Sequence, residues 1–290
     1  MFSEPERAIS RRMLTAFAEA SGRLNVTMAT APKSWGWQGR TLSGRVDTPV
    51  GPAWLRLVHA RTDKANGKLW EGPRAADDCV PSAVPRPCLR RRLAWTESAD
   101  SYLGELYDFV AEPTVTTDGP ILHQRPDLPD AWWVALRTAL ETVSAVATDR
   151  VTVRQAYLDR AMPQFLGHEI DTTVPAWSTA HGDLHWANLT GPTLTILDWE
   201  GWGIAPAGFD AAMLHTYSLL VPEVSGQVRD HLGDVLDTQA GRFAELVVIT
   251  QLLQTNSRGD NLELEEALRQ RAAELLEDVP NGRAVRQTSP

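Results

Sequence analysis

The sequence predicts an α+β protein in which a small β-rich part is followed by a larger helical part. Residues 34–58 interleave β-forming runs with turn residues: Gly36, Gly39 and Gly44, then Thr48-Pro49-Val50-Gly51-Pro52. Beyond Pro129 apolar residues recur at helical spacing instead. Ala111-Glu112-Pro113 separates the two regimes. A chain of 290 residues, 43% hydrophobic and 22% charged, has room for two lobes and an ordinary globular composition. Disordered, collagen-like and coiled-coil readings are thereby excluded for most of its length.

The elements follow in order. Residues 3–24 carry Ile9, Met13 and Phe17 at helical spacing, with Ser3 as cap and Pro5 in the first turn, so residues 1–28 are expected to hold an N-terminal helix lying on a larger body. The small lobe is placed at 29–112. Its expected strands are Ala53–Val58, Leu89–Trp95 and Tyr102–Val110, with a short helix from Lys68 to about Asp78. The helical lobe is placed at 113–279. Pro129-Asp130 opens a helix through Trp133, Leu136, Leu140 and Val143, and a second spans Val151 to about Phe165. A loop-and-strand region covers about 172–205, and helices follow near 206–220, 222–236, 238–257 and 262–277. The tail, 280–290, reads as flexible.

Lys+Arg at 28 against Asp+Glu at 37 leaves a net charge of −9, which argues against a nucleic-acid partner, since binding to phosphate backbones needs a basic face. Cys79 and Cys88 suggest two reduced core thiols rather than a disulfide framework or a zinc site. No signal-peptide pattern and no long apolar run is present, so a cytoplasmic protein without a membrane partner is expected.

The chemistry concentrates in His181-Gly182-Asp183-Leu184-His185-Trp186-Ala187-Asn188 and in Leu194-Thr195-Ile196-Leu197-Asp198-Trp199-Glu200. Asp183 and Asn188 share a tight loop, while the β-forming run Leu194–Leu197 would carry Asp198 to a strand end. This order matches the kinase catalytic loop, His-x-Asp-Leu-x-x-x-Asn, followed by a metal-binding Asp. One carboxylate meets an incoming hydroxyl, and an amide oxygen with a second carboxylate can hold Mg²⁺, which takes oxygen ligands. The rival reading is a metallohydrolase, because His181, Asp183 and His185 alternate like ligands. The remaining histidines are scattered singly and lack ligand spacing.

These residues, with Pro206 to Asp210 beyond them, make the chain resemble the aminoglycoside phosphotransferase family of kinase-like proteins. The motifs cover about thirty residues, and the order of lobes extends a weaker resemblance over 30–260. The resemblance implies a protein-kinase-like two-lobe fold, ATP or GTP as donor, Mg²⁺, and transfer of the γ-phosphoryl group to a hydroxyl of a small molecule. It further implies Asp183 as catalytic base, Asn188 and Asp198 as metal ligands, His181 as a brace of the loop, and Asp210 as the family's buried support of it, with a simple helix N-terminal acid as the alternative. Adenine would lie against the connecting segment, about Tyr107 to Ala111, with Phe109 and Ala111 taken as nucleotide-binding residues.

The small lobe departs from the family pattern. Where the family's central strand presents a phosphate-gripping Lys, this chain has Arg56, in Trp54-Leu55-Arg56-Leu57-Val58. Arg offers a planar fork rather than a point charge. Lys64 and Lys68 are alternatives, and Glu71 is the expected carboxylate partner. No Gly-x-Gly-x-x-Gly occurs among Gly36, Gly39 and Gly44. The short connection from Asp198 to Pro206 favours a small acceptor, such as an aminoglycoside or amino sugar. His185, Glu200 and Trp202 are its candidate contacts, while core packing is the alternative for Trp186, Trp199 and Trp202. Arg56 in place of Lys also leaves open a kinase-like binding subunit that serves a biosynthetic partner without transferring phosphate.

Overall fold

The computed structural model describes residues 4–31, 33–167 and 169–277. Helix α1 (Arg7–Arg23) starts behind Pro5 rather than around it, and Ser3 and the tail from Pro280 lie outside the described residues. Strands β1 (Thr27–Met28), β2 (Ser34–Trp35), β3 (Thr41–Thr48) and β4 (Gly51–Arg61) come next. They are followed by α2 (Lys68–Cys79), β5 (Leu89–Glu97) and β6 (Asp100–Asp108). The strands form one antiparallel sheet in the order β1-β3-β4-β6-β5, with β2 also paired to β3.

Strand periodicity explains what the sheet presents to each side. Ala53, Leu55 and Leu57 of β4 point toward α1 and join Met13, Ala16, Phe17 and Ala20 in one apolar cluster. Each large side chain buried there contributes about 2 kcal/mol. Trp54 and Arg56 fall on the opposite face, which looks toward the second lobe. The register of β4 with β6 sets Arg56 against Glu105 and Trp54 against Tyr107.

The second lobe contains α3 (Asp130–Ser144), α4 (Gln155–Leu166), the antiparallel pair β7 (Trp177–Ala180) and β8 (Gly203–Pro206), and α5 (Phe209–Thr216). It ends in α6 (Pro222–Leu236), α7 (Gln239–Asn256) and α8 (Glu265–Glu277). Helix α7 is apolar on most sides, with Val247, Val248 and Ile249 fully buried, because α4, α5, α6 and α8 all pack on it. The second apolar cluster runs through these helices and reaches Ala76, Val80 and Val84, so α2 shares the core of the helical lobe. Among the described residues no helix is long and apolar enough to cross a membrane.

Three expectations need correcting here. Cys79 and Cys88 are free and exposed, not core thiols: one lies at the outer end of α2 and the other just before β5. The helix expected from Val151 begins at Gln155, because Val151 bridges to Ile204 of β8. The run Leu194–Leu197 forms no strand. The chain reverses within Thr190–Thr195, where Thr190 N–H donates to Thr195 O at 3.1 Å, and an isolated bridge Leu189–Ile196 and the bond from Leu197 N–H to Asn188 O, 2.8 Å, follow it.

Candidate active site

Between the lobes lies a cleft of about 760 Å³. Its large-lobe wall is the loop that leaves β7. Gly182 lies in the left-handed region (φ +85°), and a side chain there would meet Thr152 at 2.6 Å, so only glycine makes this turn. Asp210, in the first turn of α5, accepts the backbone N–H groups of His181 (2.7 Å) and Gly182 (2.9 Å). Burial pushes its carboxyl up to about 6, although both hydrogen bonds oppose that shift.

His181 is fully buried. Its Nε2–H donates to Leu197 O at 2.9 Å, and Nδ1 accepts from the Asp183 amide at 3.3 Å. Burial pushes the ring down to about 4, so it stays neutral and ties the two halves of the site together. With both nitrogens engaged within the loop, His181 is not available as a metal ligand. The metallohydrolase alternation therefore does not form, and among the described residues no group of three or more His, Cys, Asp or Glu could hold a metal ion.

Asp183, Asn188 and Asp198 all line the cleft. The Asp183 side chain is about half exposed. Burial opposes its ionisation, but the adjacent His185 ring and the Asn188 amide prevail and hold it below the usual carboxylate range. Asn188 donates from Nδ2 to Asp183 O at 2.9 Å, and Leu197 N–H donates back to Asn188 O. Asp198 takes a left-handed backbone (φ +61°), a region Asp tolerates better than most residues. Burial raises its carboxyl against the pull of Arg56, and the charge of Asp183 adds to the rise.

Arg56 faces this loop from the small-lobe wall and donates to carboxylates of both lobes. Nη1 reaches Glu105 Oε2 at 2.8 Å, and Nη2 reaches Glu200. Glu71 is not its partner: it is exposed on α2. Gly72, its neighbour, instead lies against the Glu200 backbone so closely that an added Cβ would sit 2.2 Å from Glu200 O. Lys64 is exposed on a turn beyond β4, and Lys68 lines the cleft with Nζ on Thr152 O at 3.0 Å.

The remaining predicted residues separate. Phe109 and Ala111 do not line the cleft, whereas Asp108, Val110 and Glu112 do, because successive residues of an extended segment face opposite ways. The Phe109 ring lies under the Arg45 guanidinium, 5.3 Å from its centroid, and Ala111 is exposed. Trp202 is fully buried and its Nε1–H donates to Gly72 O at 3.0 Å, so it is a packing residue rather than a substrate contact. Trp186 is likewise core, whereas Trp199 stands at the cleft edge. His185 stays beside Asp183, Nε2 to Oδ2 3.6 Å, with its ring edge-on to Tyr217. Glu200 lines the cleft, and burial together with the Asp198 charge pushes it up to about 7 despite Arg56. Glu105 is the residue sequence reasoning missed. The available signal was a lone acid inside a strand whose neighbours are nearly all buried.

No protein-family model matches the sequence, and no curated protein matches it. Solved structures do match. Aminoglycoside phosphotransferase APH(4)-Ia superposes with a TM-score of 0.60 over 92% of this chain and 98% of that one, at 11% identity. A thermostable mutant of it, in ternary complex with ADP and hygromycin B, gives 0.60 over 91% and 98% at 10% identity. Amicoumacin kinase hAmiN, in complex with AMP-PNP, Ca²⁺ and Ami, gives 0.55 over 95% and 97% at 13% identity. At such identities the likeness is one of fold: this chain has the protein-kinase-like, two-lobe α+β fold of the aminoglycoside phosphotransferases and related small-molecule kinases.

Proposed function

We propose that the chain is a small-molecule O-phosphotransferase, moving the γ-phosphoryl group of ATP or GTP to a hydroxyl of an aminoglycoside, amino sugar or similar acceptor, with Mg²⁺. The observation that carries this reading is the convergence of Asp183, Asn188 and Asp198 on one cleft wall with Arg56 facing them. In this reading 29–112 forms the donor lobe and 113–279 the acceptor lobe, with 1–28 as an N-terminal helix.

The donor set suits a hard cation. The Asn188 amide nitrogen is taken by Asp183 O, which leaves Oδ1 as its ligand atom, and Asp198 adds a carboxylate. When bound there, Mg²⁺ supplies positive charge to the donor phosphates. Arg56 supplies further charge from the opposite wall. Asp183, ionised and half exposed, accepts the proton of the acceptor hydroxyl and orients its oxygen toward the phosphorus. His185 lies against that carboxylate, Nε2 3.6 Å from Oδ2. Asp210 and His181 hold the loop at the spacing this requires.

Calorimetric titration with ATP and GTP, each with and without Mg²⁺, tests the donor half. Metal-dependent binding in the micromolar range, about −8 kcal/mol, is expected. Absence of binding by either nucleotide overturns the reading. The acceptor half is tested by transfer of labelled γ-phosphate to a panel of amino sugars and aminoglycosides.

A further inference from the structure

Arg56 carries two carboxylate partners that differ in their freedom to leave. Glu105 stands directly opposite on β6, is fully buried, and also accepts the Tyr107 hydroxyl at 3.0 Å on the same oxygen. Sheet register fixes its backbone, and burial leaves its charge no other outlet than the cations around it, Arg56 and Arg92. Glu200 comes from the other lobe, two positions past Asp198, and its side chain is one-third exposed. Its backbone is nonetheless held: α2 packs against it at Gly72, and Arg150 Nη2 donates to Glu200 O at 3.2 Å. The Glu200 side chain can therefore swing while its backbone stays in place.

Resting on the phosphotransferase reading, we propose that the Arg56–Glu200 pair is an interlobe latch across the donor site, which the nucleotide phosphates open by taking the place of Glu200, while Glu105 keeps Arg56 in position. A planar guanidinium suits this exchange, because one edge can stay on Glu105 while the other changes partner. An ammonium has no such division of edges. The exchange also takes a carboxylate out of the phosphates' way, since Glu200 lines the same cleft as Asp198 and Asp183, where the phosphates would enter. Glu105 thus takes, from the neighbouring strand, the positioning duty expected of Glu71 on α2.

The test is calorimetric affinity for AMP-PNP and GMP-PNP with Mg²⁺, measured against adenosine and guanosine, which have no phosphate to reach Arg56. Glu200→Gln should bind the triphosphate analogue about two- to fivefold tighter and the nucleoside unchanged, the gain expected from removing one partly exposed competitor. Glu105→Gln should bind the analogue at least about tenfold more weakly, with the nucleoside again unchanged. If Glu105→Gln does not fold, Glu200→Gln alone decides. Unchanged or weaker analogue binding by Glu200→Gln overturns the latch, and unchanged analogue binding by Glu105→Gln overturns the positioning duty. If the unmodified protein binds nucleoside and analogue equally, the phosphates do not reach Arg56 and the latch fails alone. If it binds neither, the phosphotransferase reading fails and the latch with it.

Discussion

Asn188 turns its amide nitrogen onto the carbonyl oxygen of Asp183 at 2.9 Å, so the two ends of the loop brace each other. The same nitrogen lies 3.4 Å from Asp183 Oδ2, which couples the direction of one side chain to that of the other. Replacing either residue should therefore affect both, though by different routes.

Asp183→Asn keeps the shape of the side chain and removes its proton-accepting charge. Turnover should fall by about 10²–10⁴-fold, with Mg²⁺-nucleotide affinity retained. Steady-state kinetics beside calorimetry separates the two effects, and turnover that survives unchanged would exclude Asp183 as base.

Asn188→Ala removes both the brace and an oxygen ligand. Nucleotide binding should lose most of its Mg²⁺ dependence, and the loop should lose about 1 kcal/mol of stability. Titrations in Mg²⁺ and in EDTA, together with Tm, check both. A variant with full metal-dependent affinity would remove Asn188 from the cation site.

Asp210 gives a pH signature. Its folded-state value, about 6, lies above the ordinary carboxyl range, so the ionised group costs stability at neutral pH. That cost, about 3 kcal/mol, is relieved as pH falls from about 6 toward 4, because only the folded state takes up the proton there. Asp210→Asn has no such proton to take up. The Tm advantage of the unmodified protein over Asp210→Asn should widen between pH 7 and pH 5, and a constant difference would contradict the raised value.

Glu245 behaves with the opposite sign. It is buried on α7, yet hydrogen bonds from His215 Nδ1 (2.8 Å) and Arg271 Nε (2.8 Å) outweigh burial and hold it down at about 2. Its contribution is complete above the ordinary Glu value and is lost as pH falls from there toward 2. Glu245→Gln should lower stability at pH 7 by about 3 kcal/mol without changing nucleotide affinity. Chemical denaturation and calorimetry measure the two.

Gly72→Ala tests the seam between α2 and the segment after Asp198. A methyl group 2.2 Å from Glu200 O cannot be accommodated without moving the seam. About 2 kcal/mol of destabilisation is expected, with weakened triphosphate binding because Glu200 and Asp198 shift together. An unperturbed Tm would mean the seam yields freely.

Local pattern was sufficient for much of this molecule. The β-forming run Ala53–Val58 and helical spacing in Asp130–Val143 report the elements, since both are properties of neighbouring residues. The loop from His181 to Asn188 was legible for the same reason: its brace runs between residues of one short segment. Partners brought from afar were not. Glu105 and Glu200 meet Arg56 through sheet register and lobe packing, so nothing near Arg56 in the chain announces either. Trp199 and Trp202 look alike in sequence, but one borders the cleft and the other is sealed beneath α2, a distinction made by where Gly72 allows that helix to lie. Sequence by itself determined the division into a smaller β-rich part and a larger helical part, and the order Asp183, Asn188, Asp198 along the chain. The tertiary structure alone decided which carboxylates hold Arg56 and which side chains reach the cleft, because pairing register and packing join residues that local periodicity cannot relate.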